Sequence, residues 1–240
     1  MNYQNFQVKS ELRDRDYSYQ TAVPVLIRKV YLWMTLALAI TGLTAYVVAT
    51  TPSLFNAIFE NSLYWVLIIA ELALVFIVSS MIDRLSLSTA TILFVLYSII
   101  NGATLSSIFM VYASESIASV FFITAGTFGV MAFIGYTTKT DLTKMGKILL
   151  MALIGIVIAT LVNMFVKSSG LQTIVSYVGV VIFVGLTAYD SQKIKHLLTG
   201  APEESEMAQK IALLGALTLY LDFINLFLYL LRILGKVNRD

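Results

Sequence analysis

The chain has no cysteine, which excludes a disulfide scaffold, thiolate metal sites and cysteine nucleophiles. Histidine occurs once, at His196, and no HExxH motif is present, so a zinc metalloprotease is excluded. Charge is also scarce. Asp, Glu, Lys and Arg make up 12% of the 240 residues, against about 25% in an ordinary soluble domain. The net charge of +2 is too small to point to nucleic acid. Low charge combined with 58% apolar residues excludes a disordered chain as well as an ordinary soluble fold. A polytopic membrane protein remains, and the mean hydropathy of +0.84 agrees with it.

Where the charges are missing shows the organisation. No charged residue occurs from Val30 to Phe59, and Asn61 to Ile82 is interrupted only by Glu71. Leu85–Ser114, Ser116–Thr138, Ile148–Val166 and Ser168–Tyr189 carry none, and Ile211–Leu231 carries only Asp222. A helix needs about 20 apolar residues to cross the hydrocarbon core. The runs therefore predict seven spans near 29–50, 62–83, 88–112, 117–137, 147–167, 172–195 and 209–234. Stretches such as Val66-Leu67-Ile68-Ile69-Ala70 lack the alternation of a barrel strand, so the fold class is an all-α polytopic membrane protein. Residues 1–28 are polar and mixed in charge, and are expected to be a mobile cytoplasmic tail rather than a signal peptide. Residues 29–235 form the transmembrane domain, and 236–240 a short basic tail.

Orientation follows from lysine and arginine. Twelve lie on the side of the amino terminus: Lys9, Arg13, Arg15, Arg28, Lys29, Arg84, Lys139, Lys144, Lys147, Lys193, Lys195 and Lys210. Lys167, Arg232, Lys236 and Arg239 lie on the other. The positive-inside rule places the amino terminus in the cytoplasm and, with seven spans, the carboxyl terminus outside. Six spans plus a re-entrant segment would put both ends inside, which the basic carboxyl end favours. The expected location is a bacterial inner membrane.

Ionisable groups within apolar runs are costly and point to function. Here they are Glu71, Asp190, Asp222 and Arg232, with Arg84 at the end of the second span. In the seventh span Asp222, Asn225, Tyr229 and Arg232 fall within about 80° of arc at 100° per residue. That polar stripe cannot face lipid, so the span is expected inside the bundle. Asp222 and Arg232 are about 15 Å apart along the axis and cannot neutralise each other. Glu71–Arg232 and Arg84–Asp190 are the expected ion pairs. Packing alone also accounts for buried pairs of this kind. Asn101 reads as a packing hydrogen bond, and Gly126 and Gly129 as points of close helix approach.

Two stretches carry a family resemblance: Gly185-Leu186-Thr187-Ala188-Tyr189-Asp190-Ser191-Gln192-Lys193-Ile194 and Ala216-Leu217-Thr218-Leu219-Tyr220-Leu221-Asp222-Phe223-Ile224-Asn225-Leu226-Phe227. With Val30 to Tyr46, they resemble the Bax inhibitor-1 (transmembrane Bax inhibitor motif) family, over about residues 25 to 235. The resemblance implies seven helices with the seventh at the centre, and a pH-dependent calcium leak. It implies that Asp190 and Asp222 form a proton-sensing pair and a transient Ca²⁺ contact, that Arg84 is their latch, and that Glu71 and Arg232 form a structural ion pair. No resident cofactor is implied; Ca²⁺ is the permeant ion. The implied partners are the lipid bilayer, Ca²⁺, H⁺ and other membrane proteins, with no nucleic acid. The two aspartates are 32 positions apart, a longer connection than the family's usual one, and spacing alone does not put them in contact.

Two carboxylates held together in low dielectric cannot both ionise cheaply, so they share one proton. Loss of that proton would leave an open, negatively lined site suited to a hard cation. Two other classes compete. An aspartyl intramembrane protease would carry Gly-x-Gly-Asp, whereas Asp222 follows Leu219-Tyr220-Leu221, so the chain is not expected to be an enzyme. A regulator without transport, a cell-death suppressor or protease modulator, is the alternative. Ion flux through the protein alone would separate it from a channel.

Overall fold

The computed structural model describes residues 3–199, 201–202 and 205–238, with side chains from residue 23 onward. Nine helices account for the described fold: α1 (Tyr3–Thr50), α2 (Pro52–Phe59), α3 (Leu63–Met81), α4 (Leu87–Leu105), α5 (Ile108–Val111), α6 (Ser114–Thr137), α7 (Thr143–Val166), α8 (Ser169–Leu198) and α9 (Glu206–Leu234). Seven helical stretches are long and apolar enough to cross a membrane: Val23–Thr50, Leu63–Met81, Leu87–Val111, Ser114–Thr137, Thr143–Val166, Ser169–Leu198 and Glu206–Leu234. They match the seven runs read from the sequence, with ends shifted by a few residues. No strand occurs among the described residues.

Two differences from the sequence reading have physical causes. The first span is expected to start at residue 29, but α1 is continuous from Tyr3, across Pro24. Nothing between residues 3 and 28 except Pro24 opposes helix, so the polar stretch extends the span. The third span breaks at Ser106–Ser107 into α4 and α5. There Ser106 Oγ donates to the Ala103 carbonyl at 2.7 Å and Ser107 Oγ to the Thr104 carbonyl at 3.2 Å. Hydroxyls that bond the preceding turn bend helices in this way.

The spans differ in burial. In its most apolar window α9 is 67% buried, whereas α7 is 6% and α3 is 11%. Helix α9 packs against α8, α1, α6 and α4; α7 packs on α8, and α3 on α4. Gly215 and the residues Ala208, Ala212 and Ala216 give α9 the slim face that such packing needs. The chain beyond α9 is tied down. Ala113 N–H donates to the Lys236 carbonyl at 3.0 Å and Asn238 N–H to the Val111 carbonyl at 3.0 Å, around an antiparallel bridge of Tyr112 with Val237. The end of α9 thus lies on the face of the α5–α6 connection, as seven crossings require.

Candidate functional site

The site begins with how α8 and α9 are held in register. A Cβ on Gly215 would stand 3.0 Å from Ile194, and one on Gly179 would stand 2.7 Å from the Tyr229 ring. These two glycines let the antiparallel helices close on each other on either side of Asp190 and Asp222. Helix α9 starts well before the level of the α8 end, which absorbs the long 32-position separation. The two carboxyl groups are consequently close enough to act on each other. Asp190 is 7% exposed and Asp222 is 5% exposed. No N–H or O–H donor among the described residues reaches Asp222 Oδ2. A carboxyl–carboxyl hydrogen bond needs a proton on one partner, because two carboxylates offer only acceptors.

The residues after Asp190 each engage a different neighbour. The Tyr31 side chain of α1 approaches Ser191, whose Oγ donates to the Thr187 carbonyl at 2.7 Å. Gln192 Oε1 accepts from Leu142 N–H at 2.9 Å, and its Nε2 donates to the Thr140 carbonyl at 2.8 Å. Lys195 Nζ donates to the Tyr136 carbonyl at 2.8 Å and lies 4.8 Å from the centre of that ring. Lys193, one turn from Asp190, is the cation acting on it and sits over the Tyr189 ring at 5.9 Å. The Asp190 segment therefore connects α8 to α1, to the end of α6, to the α6–α7 connection and to α9. In that connection, the Thr143 N–H donates to Asp141 at 2.9 Å, and hydrogen bonding from Thr143 holds the Asp141 carboxyl below the usual carboxylate range.

The expected latch is not formed. Arg84 lies in the exposed α3–α4 turn and makes no ion pair with Asp190. Helix α3 ends at Met81, so the Arg84 side chain leaves from a turn and has no helix face to aim it at α8. Lys193 takes the place next to Asp190, and its spacing of three residues on one helix is a signal the sequence reading passed over.

The expected pairing of Glu71 with Arg232 is also absent. Glu71 Oε2 accepts from Asn101 Nδ2 at 3.1 Å, and Oε1 accepts from Thr104 Oγ1 at 2.6 Å. Behind Asn101 stands the Tyr220 hydroxyl, which donates to Asn101 Oδ1 at 2.8 Å and lies 2.7 Å from Thr41 Oγ1. Thr41 also reaches the Ser98 carbonyl at 3.0 Å. Glu71 is thus the terminus of a hydrogen-bond network through α4, α9 and α1. Arg232 lies elsewhere, over the Tyr229 ring at 5.4 Å and beside a polar recess of 240 Å³ lined by Gln172, Thr173, Ser176 and Tyr177. The reason is packing: α3 leans on α4, which carries the donors Asn101 and Thr104 into its reach. Asn101 joins two helices here, which fits its expected role as a packing hydrogen bond.

The polar stripe of α9 faces its neighbours. Tyr229 stacks on Phe183 of α8 at 5.8 Å. Asn225 donates to the Leu221 carbonyl at 2.8 Å within its own helix. The glycines Gly126 and Gly129, expected at close helix contacts, have nothing within 4 Å of a built Cβ, so they face open space.

No group of three or more His, Cys, Asp or Glu side chains suited to a metal occurs among the described residues. Two carboxylates supply four oxygens, fewer than the six to eight that enclose Ca²⁺.

Comparison with known proteins places this geometry in a family. The family model described as inhibitor of apoptosis-promoting Bax1 matches residues 23–239. The chain is 52% identical over 210 residues to the inner membrane protein YbhL of Escherichia coli strain K12, covering 87% of this chain and 90% of that protein. It is 48% identical over 215 residues to a Borreliella burgdorferi protein, covering 89% and 93%, and 43% identical over 212 residues to the Rickettsia prowazekii protein RP147, covering 88% and 89%. With a match over most of its length and half of its residues shared with a bacterial inner membrane protein, the chain is a multi-pass membrane protein belonging to the Bax inhibitor family.

Proposed function

We propose that the protein is a pH-sensitive calcium leak, gated by the proton shared between Asp190 and Asp222. The observation that carries this reading is the meeting of the two carboxyl groups at the buried α8–α9 interface. While one proton is shared, a hydrogen bond joins the helices and no pair of bare charges lines the interface. When it leaves, two negative charges face each other. At 4 Å and an effective dielectric of 20 their repulsion is about 4 kcal/mol. At about 1.4 kcal/mol per factor of ten, that moves a closed-to-open ratio by nearly a thousandfold. Opening then exposes carboxylate oxygens to a hard cation. With too few ligands to retain the ion, the site favours passage over storage. Lys193 is the cation near Asp190 and partly offsets the negative charge when the proton leaves.

The excess of Lys and Arg on the amino-terminal side supports a cytoplasmic amino terminus and an outer carboxyl terminus. Asp190 then lies about 12 Å inside the cytoplasmic end of α8, eight residues before Leu198, where a cytoplasmic proton reaches it by the shorter route.

The test is Ca²⁺ flux into proteoliposomes that hold only this protein, at pH 6, 7 and 8. Wild type leaks more at the higher pH, and Asp190→Asn or Asp222→Asn flattens the response. A protein that passes no Ca²⁺ at any pH would instead be a regulator acting through other membrane proteins, the reading that the family's description as an inhibitor of Bax1 favours.

A further inference from the structure

Helices α1 and α6 both pack on α8 and α9, and between them a groove of 760 Å³ remains. Its walls are residues 24–38 of α1 and 121–136 of α6, and Phe223 of α9 forms part of its floor. The volume falls in the range of sites that hold small ligands. Its length along α1 is about 21 Å at 1.5 Å per residue, against about 15 Å for half of a 30 Å hydrocarbon core. The groove therefore runs the depth of one leaflet. Its lining is almost wholly apolar; the Thr35 hydroxyl midway along it is turned back to the Tyr31 carbonyl, and the other polar groups gather at one end. There Arg28, Tyr31 and Tyr136 line the mouth, on the side where α1 enters and α6 leaves. Among the described residues, Arg28 is the one charged side chain in the lining, and no carboxylate is found there. It is exposed and forms no ion pair among the described residues.

We propose that this groove binds one anionic phospholipid, with an acyl chain between α1 and α6 and its phosphate at Arg28. The charge at the mouth selects the headgroup, because a basic residue at the membrane surface attracts anionic lipid. The two tyrosines sit at the level where amphipathic aromatic rings meet headgroups. The depth is provided by Gly129, whose missing side chain leaves open space inside the groove. The bound lipid also lies near the aspartate segment: Tyr31 lines the groove and approaches Ser191, the neighbour of Asp190.

The site is tested without any flux measurement, so its failure and that of the calcium-leak reading are separate results. The full chain is reconstituted in nanodiscs of equal phosphatidylglycerol and phosphatidylcholine, extracted, and weighed by native mass spectrometry. Wild type retains one phosphatidylglycerol. Arg28→Gln lowers the preference for it about fivefold, the equivalent of about 1 kcal/mol for one basic residue at a membrane surface. Gly129→Phe fills the groove and loses the retained lipid. Gly126→Phe, three residues away, also facing open space but outside the lining, keeps it and shows that the bulk alone is harmless. Equal retention of both lipids by wild type overturns the proposal, as does unchanged retention in Gly129→Phe or Arg28→Gln. A lipid-free dimer would also overturn it, by showing that a second copy covers the groove.

Discussion

The two acidic sites within the apolar helices, one half-buried and one buried, solve the same problem in opposite ways. Glu71 is surrounded by donors, Asn101 and Thr104, with Tyr220 and Thr41 behind them. Asp222 is faced by another carboxyl, and no donor group reaches its Oδ2. A carboxylate that accepts good hydrogen bonds can keep its charge inside a protein, whereas a carboxyl that faces its own kind must hold a proton in common. Residues of one type in one membrane thus take different parts. The Glu71 site fastens helices, and the aspartate pair is the one proposed above to sense protons. Both are tied to α9, through Tyr220 and Asp222, which lie two residues apart and so point to different sides of the helix.

The comparison can be broken at its strongest point first. Asp222→Asn replaces a proton-sharing carboxyl by an amide with a fixed donor, and removes the charge that would develop. The pH response of Ca²⁺ flux between pH 6 and 8 should disappear, from a possible range of nearly a thousandfold. A retained response would move the sensor away from this pair. Glu71→Ala should do the reverse. It leaves Asn101 Nδ2 and Thr104 Oγ1 without their acceptor, a loss of about 1–3 kcal/mol in stability. Thermal unfolding in detergent should fall by several degrees while the shape of the pH profile is kept.

Smaller effects sharpen the contrast. Tyr220→Phe removes the hydroxyl between Thr41 and Asn101 and keeps the ring that packs on Phe94 and Tyr97. The expected loss is about 1 kcal/mol, read again as a lowered unfolding temperature. The smallest effect concerns the missing ion pair. In a double-mutant cycle of Glu71→Gln and Arg232→Gln, the two changes should add within about 0.5 kcal/mol, as distant sites do. A coupling above 1 kcal/mol would mean that the two side chains meet in the membrane after all. Arg84→Gln, in the same spirit, should leave the pH profile of the flux as it is.

The legibility of each feature depends on how local its cause is. The seven spans could be counted because lipid demands long uncharged runs, and each run is a property of adjacent residues. The stripe of α9 was visible for the same reason, since Asp222, Asn225 and Tyr229 share a face through helical periodicity alone. The wrong pairings of Arg84 and Arg232 came from matching opposite charges by depth. Depth fixes only one coordinate, and the side on which α3 leans was not in the pattern. Asn101 and Thr104 were available as donors but looked like ordinary packing residues, because a neutral amide or hydroxyl gives no sign of the carboxylate it will meet. Gly126 and Gly129 looked like contact points, but a glycine marks a lack of bulk, and the neighbouring helix decides whether that space is filled or left open.

The amino-acid sequence by itself therefore determined a membrane protein of seven helices, the family, and the few ionisable groups that must find partners in a low-dielectric medium. Only the tertiary structure decided which partners they found. It set Asp190 against Asp222, because close approach at Gly179 and Gly215 brings α8 and α9 into register across a long connection. It gave Glu71 to Asn101 and Thr104, and it left a groove between α1 and α6 with Arg28 at its mouth. The physical reason is one of range. Insertion into a bilayer is governed by the run of residues along the chain, whereas a hydrogen bond forms only within about 3 Å and depends on how whole helices are turned and tilted against each other.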